Sequence, residues 1–533
     1  MAAAGTGAAA SRALAQNPGA TLLAGAESQP TARDVRAFQT RQRQAAYYYD
    51  LPRPQLRNNG DEVRYLRRIN SFSKALPHDP SGEVDNAAYN LLLESLQSGE
   101  PAGFDRLKLG GAARLQNPQG AYMLTMQGKD ACQYATDPAP AFSSARQAAE
   151  TIENYWRALT RDVLFYEYER SDLIRDAAAD LGLLQDYAGP ATKAGVTPQV
   201  VFRGTLRGDT VGPFISQFLY LPIPYGAATL QQRFKVAASG ENFLTTYDEW
   251  LAAQNGAKSD RAVTFDDTPR YIRNTRDLAS YARSDFSYQP YLGAALILLQ
   301  MGSKALGDDV LYVYSQTEDA YVTFGAPNVL DVVSGVAHAA LQAAWYQKWL
   351  IHRRARPEEF GGRVHAALTG KNNYAFHRDI WTSAAPKRVF DTTGSYLLPM
   401  AFPEGAPAHP AYPAGHAAMA GACVTVLKAF FNGDFEFPQA MQVNDDGTAI
   451  VPYFGPNLTV EGELHKLASN MSYGRDAAGI HYRGDGASGL ALGEEVAINY
   501  LRDLCACYSE SFGGFTFNRF DGRQVTVCGT CVL

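Results

Sequence analysis

HPAYPAGHAAMAGACVTVLKAF, residues 409–430, joins a proline-rich corner to a run of small and apolar residues. Met419, Cys423, Val426 and Phe430 step by four, three and four, which lays them along one face of a helix. Pro413, Ala414 and Gly415 lead into that stripe, so Gly415 and His416 fall at the helix N-terminus. Backbone N–H groups there lack intrahelical partners and the positive end of the helix dipole faces outward, which attracts an anion. Glycine lets the backbone approach a ligand closely, and a histidine exchanges protons near neutral pH. Taken alone, a histidine such as His416 at a helix start is more often a cap or core residue.

The same period recurs upstream. Ile152, Trp156, Leu159 and Val163 form a stripe that Ser143 or Ser144 would cap. YLGAALILLQMG, residues 291–302, reads as a core helix, because a membrane span needs about 18 uninterrupted apolar residues. Strand-like pieces are short and lie between helices, at 322–327, 435–443, 448–454 and 515–529, the last as a hairpin turning at Asp521 and Gly522. The expectation is a mainly α fold, a helical bundle with small β-hairpin additions. With no internal repeat and no long linker, residues 41–533 read as a single body and 1–40 as a flexible or partner-docked arm. The chemically loaded residues lie within about 271–500, and a division near residue 270 is the alternative.

A chain of 533 residues, 46% hydrophobic and 19% charged, can bury a large core as an ordinary soluble globular protein. A net charge of -6 argues against a general nucleic-acid binder, so any anion site must be a local cluster. The Ala- and Gly-rich N-terminus lacks the basic start and compact apolar run of a secretory signal, which leaves the compartment open. Cys505, Cys507, Cys528 and Cys531 crowd the C-terminus as CxC and CxxC, a pattern compatible with disulfides, free thiols or zinc.

Two further clusters carry charge. In YQKWLIHRRARPEEFGG, residues 346–362, Lys348, His352 and Arg356 recur every four residues and would share one helix face, with Pro357 ending that helix. Lysine and arginine suit oxyanions as a point charge and a planar fork respectively. In SNMSYGRDAAGIHYRGDG, residues 469–486, Arg475 and His481 are six apart and need a bend to meet, which Gly474 and Gly479 would allow. Asp485, one turn beyond His481, would orient the imidazole or lie on a helix surface.

In chain order the clusters read Lys-x7-Arg-Pro, Pro-Ala-Gly-His and Arg-x5-His-x3-Asp. This order resembles the signature of the vanadium haloperoxidase and acid phosphatase superfamily. The surrounding text is most similar to the algal and cyanobacterial bromoperoxidases, through YQKWLIHRRARPE, AHPAYPAGHA and GRDAAGIHYRGDGASGLALGEE. It continues upstream in residues 60–79, 155–168 and 212–226, so it covers most of the chain beyond residue 40.

The resemblance implies a helical-bundle fold and a vanadate cofactor ligated by His481. Lys348, Arg356, Arg475 and the Gly415 N–H would balance the oxyanion, and His416 would be the acid–base group. It further implies hydrogen peroxide and bromide or iodide as substrates, hypohalous acid as product, small organic acceptors, and homo-oligomerisation. Trp345 and His409 match positions near the halide, and Asp285 matches an acid that pairs with the site arginine. Ala414 departs from the family, which usually has a serine there whose hydroxyl bonds a vanadate oxygen; one hydrogen bond to a charged group is worth about 1.5–3 kcal/mol. No run of ligands commits the chain to calcium. The alternatives are a phosphatase with His481 as nucleophile and His416 protonating the leaving group, and a non-catalytic shell protein of the same fold.

Overall fold

A computed structural model describes residues 30–530. The arm expected at 1–40 therefore falls largely outside the described residues. The chain divides into two compact units between Pro52 and Arg53. In the first, helix α1 (Ala32–Asp50) runs through residue 40 and starts in a capping box formed by Thr31 and Asp34. The second unit, from Arg53 onward, is not divided near residue 270.

That larger unit is mainly helical. Its framework is α2 (Ala145–Thr160), α3 (Thr275–Ser284), α4 (Gln289–Gln300), α5 (Ala326–Tyr346), α6 (Pro357–Leu368), α7 (Gly415–Phe430), α8 (Val460–Ala477) and α9 (Arg483–Cys507). Ser144 caps α2 by accepting from the Gln147 N–H, and α4 is the core helix expected at 291–302. No helix among the described residues is long and apolar enough to cross a membrane.

Helix α7 is the hub, packed against α5, α8 and α9. Its periodicity suggested one buried face, but every residue from Ala417 to Phe430 is buried. The Ala and Gly content explains this, because it lets α9 approach backbone to backbone. A Cβ on Gly493 would lie 2.0 Å from the Ala418 carbonyl oxygen, and one on Gly421 would lie 2.1 Å from that of Leu490. Larger side chains would force the helices apart.

The β additions are smaller than the sequence suggests. Residues 322–327 form no strand and lead into α5. Of 435–443 only β1 (Met441–Val443) is extended in a ladder, paired antiparallel with β2 (Ile450–Pro452). The terminal hairpin is as expected, β3 (Phe515–Asn518) against β4 (Gln524–Val527), with Gly522 at φ +84° in the turn. Buried Phe515 and Val527 anchor that hairpin on the helical core.

Candidate active site

Three chain segments meet where α7 and α9 begin. The Ala414 N–H donates to the Asp485 carbonyl oxygen at 2.9 Å, which ties the start of α7 to the first turn of α9. Gly415 is the first residue of α7 and His416 the second, as the corner at 409–416 suggested. Ala414 is the N-cap but has no hydroxyl with which to cap.

Lys348 and Arg356 reach the site by a route that the four-residue spacing did not anticipate. Helix α5 gives way to a π-helical turn, Gln347–His352, which Arg353 closes at φ 40°. The backbone is then extended until Arg356, the N-cap of α6, and Pro357 opens that helix instead of ending the previous one. Proline suits this first position, where its missing N–H costs nothing. The changed register also turns His352 away, with its Nε2 2.8 Å from the Thr136 hydroxyl and its ring against Tyr412.

On the third segment, α8 ends at Ala477 and Gly479, at φ +81°, makes the bend that lets Arg475 and His481 converge. Gly474 has a different task. It lies inside α8, where a Cβ would come 3.0 Å from Leu278 of α3.

The geometry is dense. Arg356 donates from Nε to the His409 carbonyl (2.8 Å) and from Nη1 to the Ile480 carbonyl (3.0 Å), and Nη1 lies 3.0 Å from His481 Nε2. Its Nη2 is 3.0 Å from His409 Nδ1, so one guanidinium spans both imidazoles. Lys348 Nζ donates to the carbonyls of Pro410 (2.7 Å) and Ala411 (2.6 Å). Arg475 donates from Nη1 to the Ala282 carbonyl at 2.7 Å, and its buried Nε has no partner. His481 Nδ1 is 2.9 Å from Asp485 Oδ2, so Asp485 orients the ring and Nε2 keeps its lone pair.

Asp285 is placed differently from the arginine pairing the resemblance implied. It follows α3 and lies 3.3 Å from His416 Nε2, whereas Arg475 spends its described hydrogen bond on Ala282. Trp345, in the last turn of α5, packs its ring 4.7 Å from that of His409 and donates to the carbonyls of Gln116 and Asn117. A Cβ on Gly415 would lie 3.4 Å from this indole and 3.3 Å from Leu341 Cδ1, so glycine keeps the helix N-terminus open beside them.

Electrostatics marks the cluster as cationic. Lys348, Arg356 and Arg475 are buried, and none makes an ion pair with a carboxylate among the described residues. Burial, then Arg356, pushes the Lys348 ammonium well below its ordinary range, and burial pushes Arg356 down to about 9. Burial and the same cations hold His409 and His481 neutral. His416 is also lowered, by burial and Arg475, against the opposing effect of its hydrogen bond to Asp285. Carboxylates such as Asp485, beside Lys348 and Arg356, and Asp285, beside Arg475, offset these charges without touching them, and buried cations without a direct partner are costly unless an anion joins them.

The donor set fits an oxyanion such as vanadate. It offers three cations, a helix N-terminus that no side chain caps, the unpartnered Nε of Arg475 and the imidazole lone pair that Arg356 now faces. Among the described residues no group of three or more His, Cys, Asp or Glu side chains could hold a bare metal cation. At the tail, Cys505 and Cys507 are free thiols and Cys528 is disulfide-bonded.

Sequence reading passed over the support behind His481. Arg354 donates to Asp485 Oδ1 (2.7 Å), Gln147 Oε1 (2.6 Å) and Glu150 Oε2 (2.8 Å), and stacks 3.9 Å over the Tyr482 ring. Two signals were available. Arg354 and Arg356 are two apart in an extended stretch before proline, hence on one side of the strand. Gln147, Glu150, Asn154 and Arg157 also step by three, four and three, a polar stripe on α2 beside the apolar one. Asn154 donates to the His481 carbonyl at 3.0 Å, and Glu153 holds Arg157 and Arg483.

A helical bundle that gathers three unpaired cations and a carboxylate-oriented histidine at a helix N-terminus defines an oxyanion-binding protein of the vanadium haloperoxidase class. The family model for the VCPO second helical-bundle domain matches residues 329–508. The vanadium-dependent bromoperoxidase of Ascophyllum nodosum is 34% identical over 85% of this chain and 86% of its own length. That of Corallina pilulifera is 32% identical over 88% and 94%. A solved homohexameric structure of the second vanadate-dependent bromoperoxidase from Ascophyllum nodosum superposes with a TM-score of 0.90 at 28% identity, covering 97% of this chain and 95% of that one. The chain belongs to the vanadium-dependent bromoperoxidase family.

Proposed function

We propose that the protein is a vanadate-dependent bromide peroxidase, which turns bromide, hydrogen peroxide and a proton into hypobromous acid and water. The observation that carries this reading is the trio Lys348, Arg356 and Arg475, buried without direct carboxylate partners around His481, whose Nε2 lone pair faces Arg356 Nη1 while Asp485 holds Nδ1. His481 is the ligand to vanadium, and the three cations with the Gly415 N–H balance the oxyanion. When bound, vanadate supplies a Lewis-acid centre that activates peroxide without changing its own oxidation state.

The protein's share is positioning and proton transfer. With Nε2–H directed at Asp285, His416 presents Nδ1 to accept a proton from hydrogen peroxide and later return it to the departing oxygen. Lys348, fixed by two carbonyls, keeps an N–H to polarise the oxygen under attack. Trp345 and His409 form the side from which bromide or iodide approaches. The unit that begins at Arg53, which holds every residue named here, acts as the catalytic body, and the hexameric relative supports a homo-oligomer.

The test is bromination of a phenolic dye with peroxide, bromide and added vanadate, run beside release of nitrophenol from its phosphate ester. Vanadate-dependent bromination that His481→Ala abolishes is the expected result. Ester hydrolysis without bromination would replace this reading with a phosphatase, and neither activity would leave a shell protein.

A further inference from the structure

Beside the anion cluster lies a cavity of about 560 Å³, with Arg475 and Ile480 in its lining. Ala408, next to His409, and Gln116, whose carbonyl accepts from the Trp345 indole, also line it. Phe402 and Pro407 make part of its wall apolar. Cavities of this size accommodate a small organic molecule.

Its charge is one-sided. Arg283 and Glu404 cancel, joined at 2.8 and 3.0 Å, with the Arg283 guanidinium stacked 4.6 Å over the Phe402 ring. Lys74 is likewise paired, with Glu358. Arg114 and Lys258 are exposed on the wall, and neither they nor Arg475 make an ion pair among the described residues. Two cations without an ion pair, Arg114 and Lys258, thus line an aromatic-edged cavity whose third, Arg475, belongs to the anion cluster, in a chain whose net charge is -6.

We propose that this cavity binds the organic acceptor of the halogenation and selects aromatic acceptors that carry a carboxylate or another anionic group. This rests on the haloperoxidase reading above. Arg114 and Lys258 hold the anionic group, Phe402 and Pro407 flank the ring, and the far edge of the ring faces the cluster that releases hypobromous acid. There the O–Br bond breaks and a ring C–Br bond forms, and the displaced ring proton leaves with the hydroxide as water. The cationic wall raises the local concentration of anionic acceptors over neutral ones.

The probes are 4-hydroxybenzoate and its neutral counterpart 4-hydroxybenzamide. Calorimetric titration of the full-length protein, without peroxide, is expected to show the benzoate binding at least tenfold more tightly, and the double variant Arg114→Glu, Lys258→Glu to erase that difference. In a competition with bromide, peroxide and vanadate, the enzyme is expected to enrich brominated benzoate at least fivefold over the product ratio from added hypobromous acid. Equal binding of the two probes, or a product ratio equal to that of the free reagent, overturns the proposal. So does a rise in the bromide KM of the double variant that accompanies both acceptors alike, which would assign the cations to halide entry. Selective binding without any bromination would sink the peroxidase reading and leave the cavity as a site for aromatic anions.

Discussion

Arg354 and Asp485 meet inside the protein at 2.7 Å, both side chains fully buried, and Asp485 turns its other oxygen to His481 Nδ1. The guanidinium therefore offsets the carboxylate that orients the imidazole. His481 keeps its orientation and, under the combined effect of burial and Arg356, its neutral form. The role proposed for His481 as ligand to vanadium needs both.

Removing that guanidinium should be expensive. Arg354→Ala leaves Asp485 and Glu150 as buried carboxylates without their cation, and breaking a buried pair in this way costs about 3–5 kcal/mol. Urea unfolding measures the loss. Arg354→Lys keeps the charge but cannot bond Asp485, Gln147 and Glu150 through one planar fork, so it should fold and bind vanadate about 10- to 100-fold more weakly by equilibrium dialysis. Unchanged affinity in the lysine variant would show that the support does not reach His481.

Ala414→Ser tests the family departure. A serine N-cap on α7 should stabilise the fold by about 1 kcal/mol if its hydroxyl bonds the helix N–H groups. If the hydroxyl instead faces the oxyanion, the gain appears as about tenfold or more in vanadate affinity, following about 1.5–3 kcal/mol for a hydrogen bond to a charged group. Thermal melts without vanadate and binding isotherms with it separate the two.

Asp285→Asn should move the proton-transfer step. Asp285 raises the His416 pKa against burial and Arg475, so its loss lowers that pKa further. The base form then persists to lower pH while its capacity to return a proton at neutral pH declines. The acidic limb of kcat/KM against pH is expected to shift downward, with kcat at neutral pH falling about tenfold or more, since general acid–base assistance contributes about 10²–10⁴-fold. A pH profile superimposable on that of the parent would remove Asp285 from the mechanism.

Away from the site, Asp209 offers a stability test. Burial raises its carboxyl from 3.8 to about 7, although Ser469 and the Leu206 N–H donate to it. A carboxyl raised in the fold favours its protonated state, so its stabilisation is complete below pH 3.8 and is lost as pH rises to about 7. The loss is at most about 4 kcal/mol, at about 1.4 kcal/mol per pKa unit. His78 and His352, both depressed to about 4 by burial, act with the opposite sign over an overlapping range. The comparison of Asp209→Asn with the parent isolates the carboxyl, and the variant's relative unfolding free energy should climb with pH between about 4 and 7.

The amino-acid sequence determined what local physics can carry. The helices that carry the stripes beginning at Ile152 and Met419, the cap at Ser144 and the turn at Gly522 are set by residues within a few positions of one another, so they were legible, although α2 ends at Thr160, short of Val163. The three motifs were legible only together, through an order that resembles a family signature, since each alone read as well as a solvated face, a cap or a core feature. Tertiary structure decided the rest. A π-helical turn and one left-handed residue at Arg353 remove Lys348 and Arg356 from a common helix, and Asp285 faces His416 across a gap of 131 residues in sequence. Arg354 acquires its role only when α2 and α9 bring Glu150 and Asp485 to it. Pairing of buried charges depends on which distant groups share a low-dielectric interior, and spacing along the chain does not encode that.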